Sequence, residues 1–150
     1  MTETVHLINW HEPERNDFAI AEEVTLRGNE ERRPDIVLYV NGIALGVLEL
    51  KNSRASAGGG IRQLLSNQKI EFNEWFFATV QIVFAGNDSE GLQYGAIGTQ
   101  EKYFLKWKED EQDNSRTKLD KYLLKLCEKR RLIELMHDFV LFDGGVKKLP

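Results

Sequence analysis

The sequence predicts an α/β domain, a mixed β-sheet flanked by helices. Three observations lead there. Three strand-like runs precede the first helical segment, which excludes a strict strand–helix alternation. Two of those runs flank Asn41-Gly42, the strongest short-range hairpin signal known. Apolar residues then recur at helical spacing, first from Ile61 and again between Thr117 and Asp138.

Taken in order, FAIAEEVTL (18–26) is rich in strand formers and leads into the turn signal Arg27-Gly28-Asn29. Pro34 opens the next extended run, at the one strand position where proline is tolerated. DIVLYV and IALGVLEL then form the hairpin. NSRASAGGG reads as a mobile connector, its three glycines Gly58, Gly59 and Gly60 lacking the Lys-Ser/Thr of a phosphate loop. In IRQLLSNQKIEF the spacing of Ile61, Leu64, Leu65 and Phe72 predicts one amphipathic helix. WFFATVQIVFAGN is dense enough in apolar residues for a well-buried strand, and LQYGAIG follows as another, across the turn NDSEG. The charged stretch 108–116, KEDEQDNSR, is expected to be a solvated loop. Leu119, Tyr122, Leu123, Leu126, Ile133, Met136 and Phe139 predict one long helix, or two joined near Arg130. Residues 143–150 read as a linker.

At 150 residues the chain suits one domain, 1–150, with 41% apolar and 29% charged residues. No apolar run approaches the roughly 20 residues needed to cross a bilayer, and the first residues lack the apolar stretch of a signal peptide. The single cysteine, Cys127, reads as a small buried thiol in a reducing cytoplasm. A net charge of −4 argues against an autonomous nucleic-acid binder but not against a domain held on DNA by partners.

The hairpin carries the chemistry. Asp35 and Glu49-Leu50-Lys51 form the pattern P-D-x(13)-E-x-K. Glu49 and Lys51 project from the same face of their strand, about 7 Å apart. Two carboxylates brought to one spot repel unless a divalent cation neutralises them, and hard oxygen ligands suit Mg²⁺ or Mn²⁺. An adjacent lysine can orient water or stabilise developing charge, so the parts suit phosphodiester hydrolysis. Register decides whether they meet. A plain two-residue loop at Asn41-Gly42 would pair Asp35 with Leu48 and turn it away from Glu49. A bulged turn at Gly42, or a bend at Asp35, is therefore expected. Arg32, Arg33, Arg54 and Arg62 flank the site in sequence and are the candidate phosphate contacts.

ERRPDIVLYVNGIALGVLELKN closely resembles the nuclease motif of the R subunit of type I restriction–modification enzymes, within the PD-(D/E)xK superfamily. The resemblance extends through FAIAEEVTLRGNEERRPD, IRQLLSNQKIEFNEWFFATVQIVFAGN, GTQEKYFLKWKE and LLKLCEKRRLIELMHDFVLFDGGVKKLP, nearly the whole chain. It implies a restriction-endonuclease-like sheet, with Asp35, Glu49 and the main-chain carbonyl of Leu50 binding Mg²⁺ and Lys51 acting on the attacking water. A superfamily branch with a helical Q-x-x-x-Y motif suggests Gln68 as a further active-site group, with Phe72 in place of the tyrosine. Other members carry an upstream acid; Glu22 and Glu23 are both candidates, and Glu22 is preferred because it interrupts an apolar stripe. The resemblance also implies double-stranded DNA as substrate, methyltransferase and specificity subunits as partners, and a helicase motor following residues 143–150. No G-x-x-x-x-G-K-[ST] loop occurs here, so the chain reads as a fragment of an R subunit that meets ATP only through that motor. The alternative is a docking or DNA-holding module in which the motif is structural.

Overall fold

The computed structural model describes residues 1–28, 30–69, 73–109, 112–143 and 146–148, with the backbone alone from residue 141 onward. Among these residues a six-stranded sheet runs in sequence order. Its strands are β1 (Phe18–Glu22), β2 (Ile36–Val40), β3 (Ile43–Leu50), β4 (Ile82–Asn87), β5 (Gly91–Ala96) and β6 (Leu105–Lys106). Only β3 and β4 are parallel, joined by the crossover helix α1 (Ala57–Asn67); every other neighbouring pair is antiparallel. The restriction-endonuclease-like mixed sheet is thus present.

Alternation along β2, β3 and β4 sends side chains to two cores. Leu38, Leu48, Ile82 and Phe84 face α2 (Lys118–Leu126) and α3 (Lys129–Glu134), which contribute Tyr122, Leu126, Leu132 and Ile133. Val37, Val47, Val83 and Ala85 face α1, which contributes Ile61 and Leu64. Every residue of β4 is buried, as befits a central strand covered on both sides.

Several expectations need correction. The glycine triplet is no connector: α1 starts at Ala57, capped by the Ser56 side chain on the Gly58 amide, and includes all three glycines. For Gly60 the reason is a close approach, since a Cβ there would lie 3.1 Å from the Ala85 Cβ and 3.5 Å from the Glu49 Cβ. The helix ends at Asn67 rather than reaching Phe72, and residues 70–72 lie outside the described residues. β1 stops at Glu22 because Glu23 takes a left-handed φ of 52°. The apolar run before β4 begins with a short 3-10 turn, Phe76–Ala78, and β6 was not anticipated.

The long helical segment is two helices, broken at Cys127-Glu128, and α3 continues into a π-helical turn, Leu135–Phe139. The expected linker, 143–150, contributes Asp143 and β8 (Val146–Lys148) to a small antiparallel ribbon with β7 (Leu141–Asp143). Within 108–116 the described residues form neither helix nor strand. Burial raises the pKa of the Cys127 thiol. Among the described residues no helix is long and apolar enough to cross a membrane.

Candidate active site

The hairpin turn is a plain two-residue one. Val40 pairs with Ile43, and both Asn41 and Gly42 have the positive φ, 51° and 78°, that such a turn demands. On that count alone Asp35 would face away from Glu49. The register changes one step further on: Tyr39 pairs with Ala44 but Leu38 pairs with Gly46, so Leu45 is an extra, unpaired residue on β3. From there Val37 faces Val47 and Ile36 faces Leu48, which brings Asp35 opposite Glu49. Asp35 itself lies in a bend just before β2. The shift that the charges need therefore exists, in the strand rather than at Gly42.

Glu49 is fully buried, and both its carboxylate oxygens lack a hydrogen-bond donor. Burial, followed by the adjoining Asp35 carboxylate, pushes its pKa up to about 8, against the opposing pull of Lys51. Asp35 is anchored through Oδ2, which accepts the Leu50 amide at 2.6 Å, while its main-chain carbonyl accepts from the Glu23 amide. Lys51 is tied at both ends. Its amide donates to the Gly86 carbonyl, and its ammonium donates to Gln63 Oε1 at 2.8 Å. Asp35, Glu49 and Lys51 thus converge at the C-terminal end of β3.

Gln68 does not join them. It sits just past the last residue of α1, where its Oε1 accepts the Gly98 amide at 2.9 Å. That is about 7 Å further along the helix axis than Gln63, the glutamine that does reach Lys51. The Q-x-x-x-Y resemblance carries no signal for Gln63; with α1 starting at Ala57, Gln63 falls on the same stripe as Gly60, which packs on Glu49. Glu22 pairs with Ile36 and so shares the face of Leu48, opposite to Glu49. Glu23 lies beside Asp35 in the chain pairing, but its carboxylate is exposed and turned to Arg33 at 3.5 Å.

Three of the four arginines are held in ion pairs: Arg32 with Glu30 at 3.1 Å, Arg33 with Glu23, and Arg62 with Glu101 at 2.8 Å. Arg54 is exposed on the loop between β3 and α1.

The donor set suits a hard cation. Once its proton is displaced, a buried carboxylate with no donor on either oxygen, beside a second carboxylate, needs a positive charge. Among the described residues no third His, Cys, Asp or Glu completes a cluster, so main-chain and water oxygens would fill the remaining positions.

Residues 1–102 match the family described as type I restriction enzyme R protein N terminus. A protein of Methanocaldococcus jannaschii, named as the MjaIXP endonuclease subunit of a type I restriction enzyme, is 25% identical over 172 aligned positions. That alignment covers 95% of this chain and 16% of the relative, so the chain spans about a sixth of that protein's length. The paired Asp35–Glu49 register with Lys51 beside it lies inside the matched region. The chain belongs to the type I restriction enzyme R protein N-terminal family.

Proposed function

We propose that this domain is an Mg²⁺-dependent endonuclease that hydrolyses phosphodiester bonds of double-stranded DNA within a type I restriction–modification complex. The observation that carries the reading is Glu49: a fully buried carboxylate, donorless on both oxygens, set against Asp35. A domain that used this hairpin only as scaffold would be more stable with an apolar residue there. Asp35, Glu49 and the Leu50 main-chain carbonyl would hold the ion, and Mn²⁺ would substitute for it. When bound, the ion would polarise a phosphate oxygen and acidify a water.

The chain's own groups do the rest. Lys51 gives one ammonium hydrogen to Gln63, which leaves two for the attacking water and a phosphate oxygen. Fixed by Gln63, the ammonium meets developing negative charge without reorganising. Arg54 reaches DNA phosphates directly. Arg33 and Arg62 can exchange exposed carboxylate partners, worth only ~0–1 kcal/mol each, for phosphates. Target recognition, methylation and ATP-driven translocation belong to other subunits and to the motor of the full-length protein.

The test is DNA cleavage by the full-length subunit assembled with its methyltransferase and specificity partners. Asp35→Asn, Glu49→Gln and Lys51→Met should each lower cleavage by about 10²–10⁴-fold, while DNA-stimulated ATP hydrolysis persists. Undiminished cleavage by all three variants would leave the domain as a docking or DNA-holding module.

A further inference from the structure

The end of β4 and the turn that joins it to β5 touch the chain from Lys51 to Ala57 at every second residue. Gly86 accepts the Lys51 amide at 2.9 Å through its carbonyl. Ser89 donates its hydroxyl to the Ser53 carbonyl at 2.9 Å. Asn87 donates its amide nitrogen to the Ala55 carbonyl at 2.7 Å. The Glu90 carboxylate accepts the Ala57 amide, the first of α1, at 3.3 Å and 3.4 Å.

Asn87 is fully buried, and its Oδ1 accepts the Glu90 amide at 2.6 Å, so one side chain locks the turn and the connection together. Asn52 closes the connection from within, its Oδ1 accepting the amides of Arg54 and Ala55. A stretch of small residues that sequence alone leaves floppy is thereby held along its length.

The grip lies on the stretch of chain that connects Lys51 to Gln63. The two residues that form the ammonium–carboxamide bond are separated by only this connection and the first two turns of α1. A connection free to move would let α1 slide along the sheet and carry Gln63 off Lys51. We propose that Asn87, Ser89 and Glu90 form a positioning brace, which fixes residues 51–57 so that Gln63 meets the Lys51 ammonium. Its catalytic consequence rests on the nuclease reading; its structural content does not.

The brace is tested on the full-length protein by the reactivity of Lys51 toward limiting formaldehyde and cyanoborohydride, read by mass spectrometry against the exposed Lys118. The variants are Gln63→Ala, Asn87→Ala, and Ser89→Ala combined with Glu90→Ala. The last pair is exposed and leaves the buried Asn87 in place, so it keeps the test open should Asn87→Ala fail to fold. In both brace variants, as in Gln63→Ala, Lys51 should label at the level of Lys118. Glu90→Gln alone, which keeps an acceptor for the Ala57 amide, should label as wild type.

In the assembled enzyme the double variant should lose roughly 10- to 100-fold in cleavage rate with an unchanged Mg²⁺ dependence. Lys51 labelling unchanged in the double variant would overturn the brace. An inactive wild type would instead overturn the nuclease reading, while labelling would still decide the brace.

Discussion

Glu49→Gln, studied with chelator present, tests the electrostatics of the site without reference to cleavage. The folded chain holds the Glu49 proton up to about pH 8, against an ordinary value of 4.5. Below pH 4.5 the carboxyl is neutral in both folded and unfolded chains and costs nothing. Between pH 4.5 and 8 the unfolded chain releases the proton while the folded chain keeps it, so stability falls as pH rises, by ~1.4 kcal/mol per pH unit. Above pH 8 the loss levels off near ~5 kcal/mol, comparable with the whole stability of a small domain. Glutamine has no proton to lose.

The unfolding free energy of the variant, relative to wild type, should therefore climb steadily across this window, on top of any constant offset from the amide. Urea unfolding followed by tryptophan fluorescence at pH 5, 6, 7 and 8 measures it, with equal m-values confirming two comparable transitions. Asp35→Asn should shorten the window, because the Asp35 charge is the second cause of the raised value. A difference between wild type and Glu49→Gln that stays flat with pH would refute the burial and carboxylate pairing argued here.

Three further outcomes follow from the same geometry. At pH 8, saturating Mg²⁺ or Mn²⁺ should raise the melting temperature of wild type, worth ~2.7 kcal/mol at a hundredfold excess over Kd, and leave Glu49→Gln unmoved; calorimetry reads this directly. Gly60→Ala should destabilise by ~1–3 kcal/mol, because its Cβ would meet Ala85 at 3.1 Å, with Glu49 close behind. Gly59→Ala, with nothing within 4 Å, should instead stabilise by ~0.5–1 kcal/mol in the same urea titration.

The charged residues that the hairpin brings together, Asp35, Glu49 and Lys51, are legible in the sequence because their pattern is local: a carboxylate before one strand, a Glu-x-Lys at the end of the next, and an Asn-Gly turn between. The position of the register shift was not. Asn41 accepts the Asp17 amide and donates to the Leu7 carbonyl and Asn16 Oδ1, which anchors a tight two-residue turn and leaves the extra residue to Leu45. Nothing in IALG marks that position.

Gly58-Gly59-Gly60 misleads for a related reason. Glycine is a poor helix former in isolation, and of the three only Gly60 is explained by close packing against Ala85 and Glu49. The Q-x-x-x-Y resemblance points to Gln68, four residues before Phe72, whereas the contact with Lys51 is made by Gln63, which no such motif marks. Glu22 was preferred on an alternation argument that did not know which face of β2 carries Asp35. The two-residue β6 carries too little pattern for any periodicity to reveal.

The measurement that bears most directly on the account is a crystal structure of the domain soaked in Mn²⁺ at pH 8, with the ion located by its anomalous scattering. One peak is expected within ~2.1–2.2 Å of a carboxylate oxygen of both Asp35 and Glu49, with Lys51 still on Gln63. A map without that peak, in which Asp35 and Glu49 share a proton and Mn²⁺ lies elsewhere or nowhere, would contradict it.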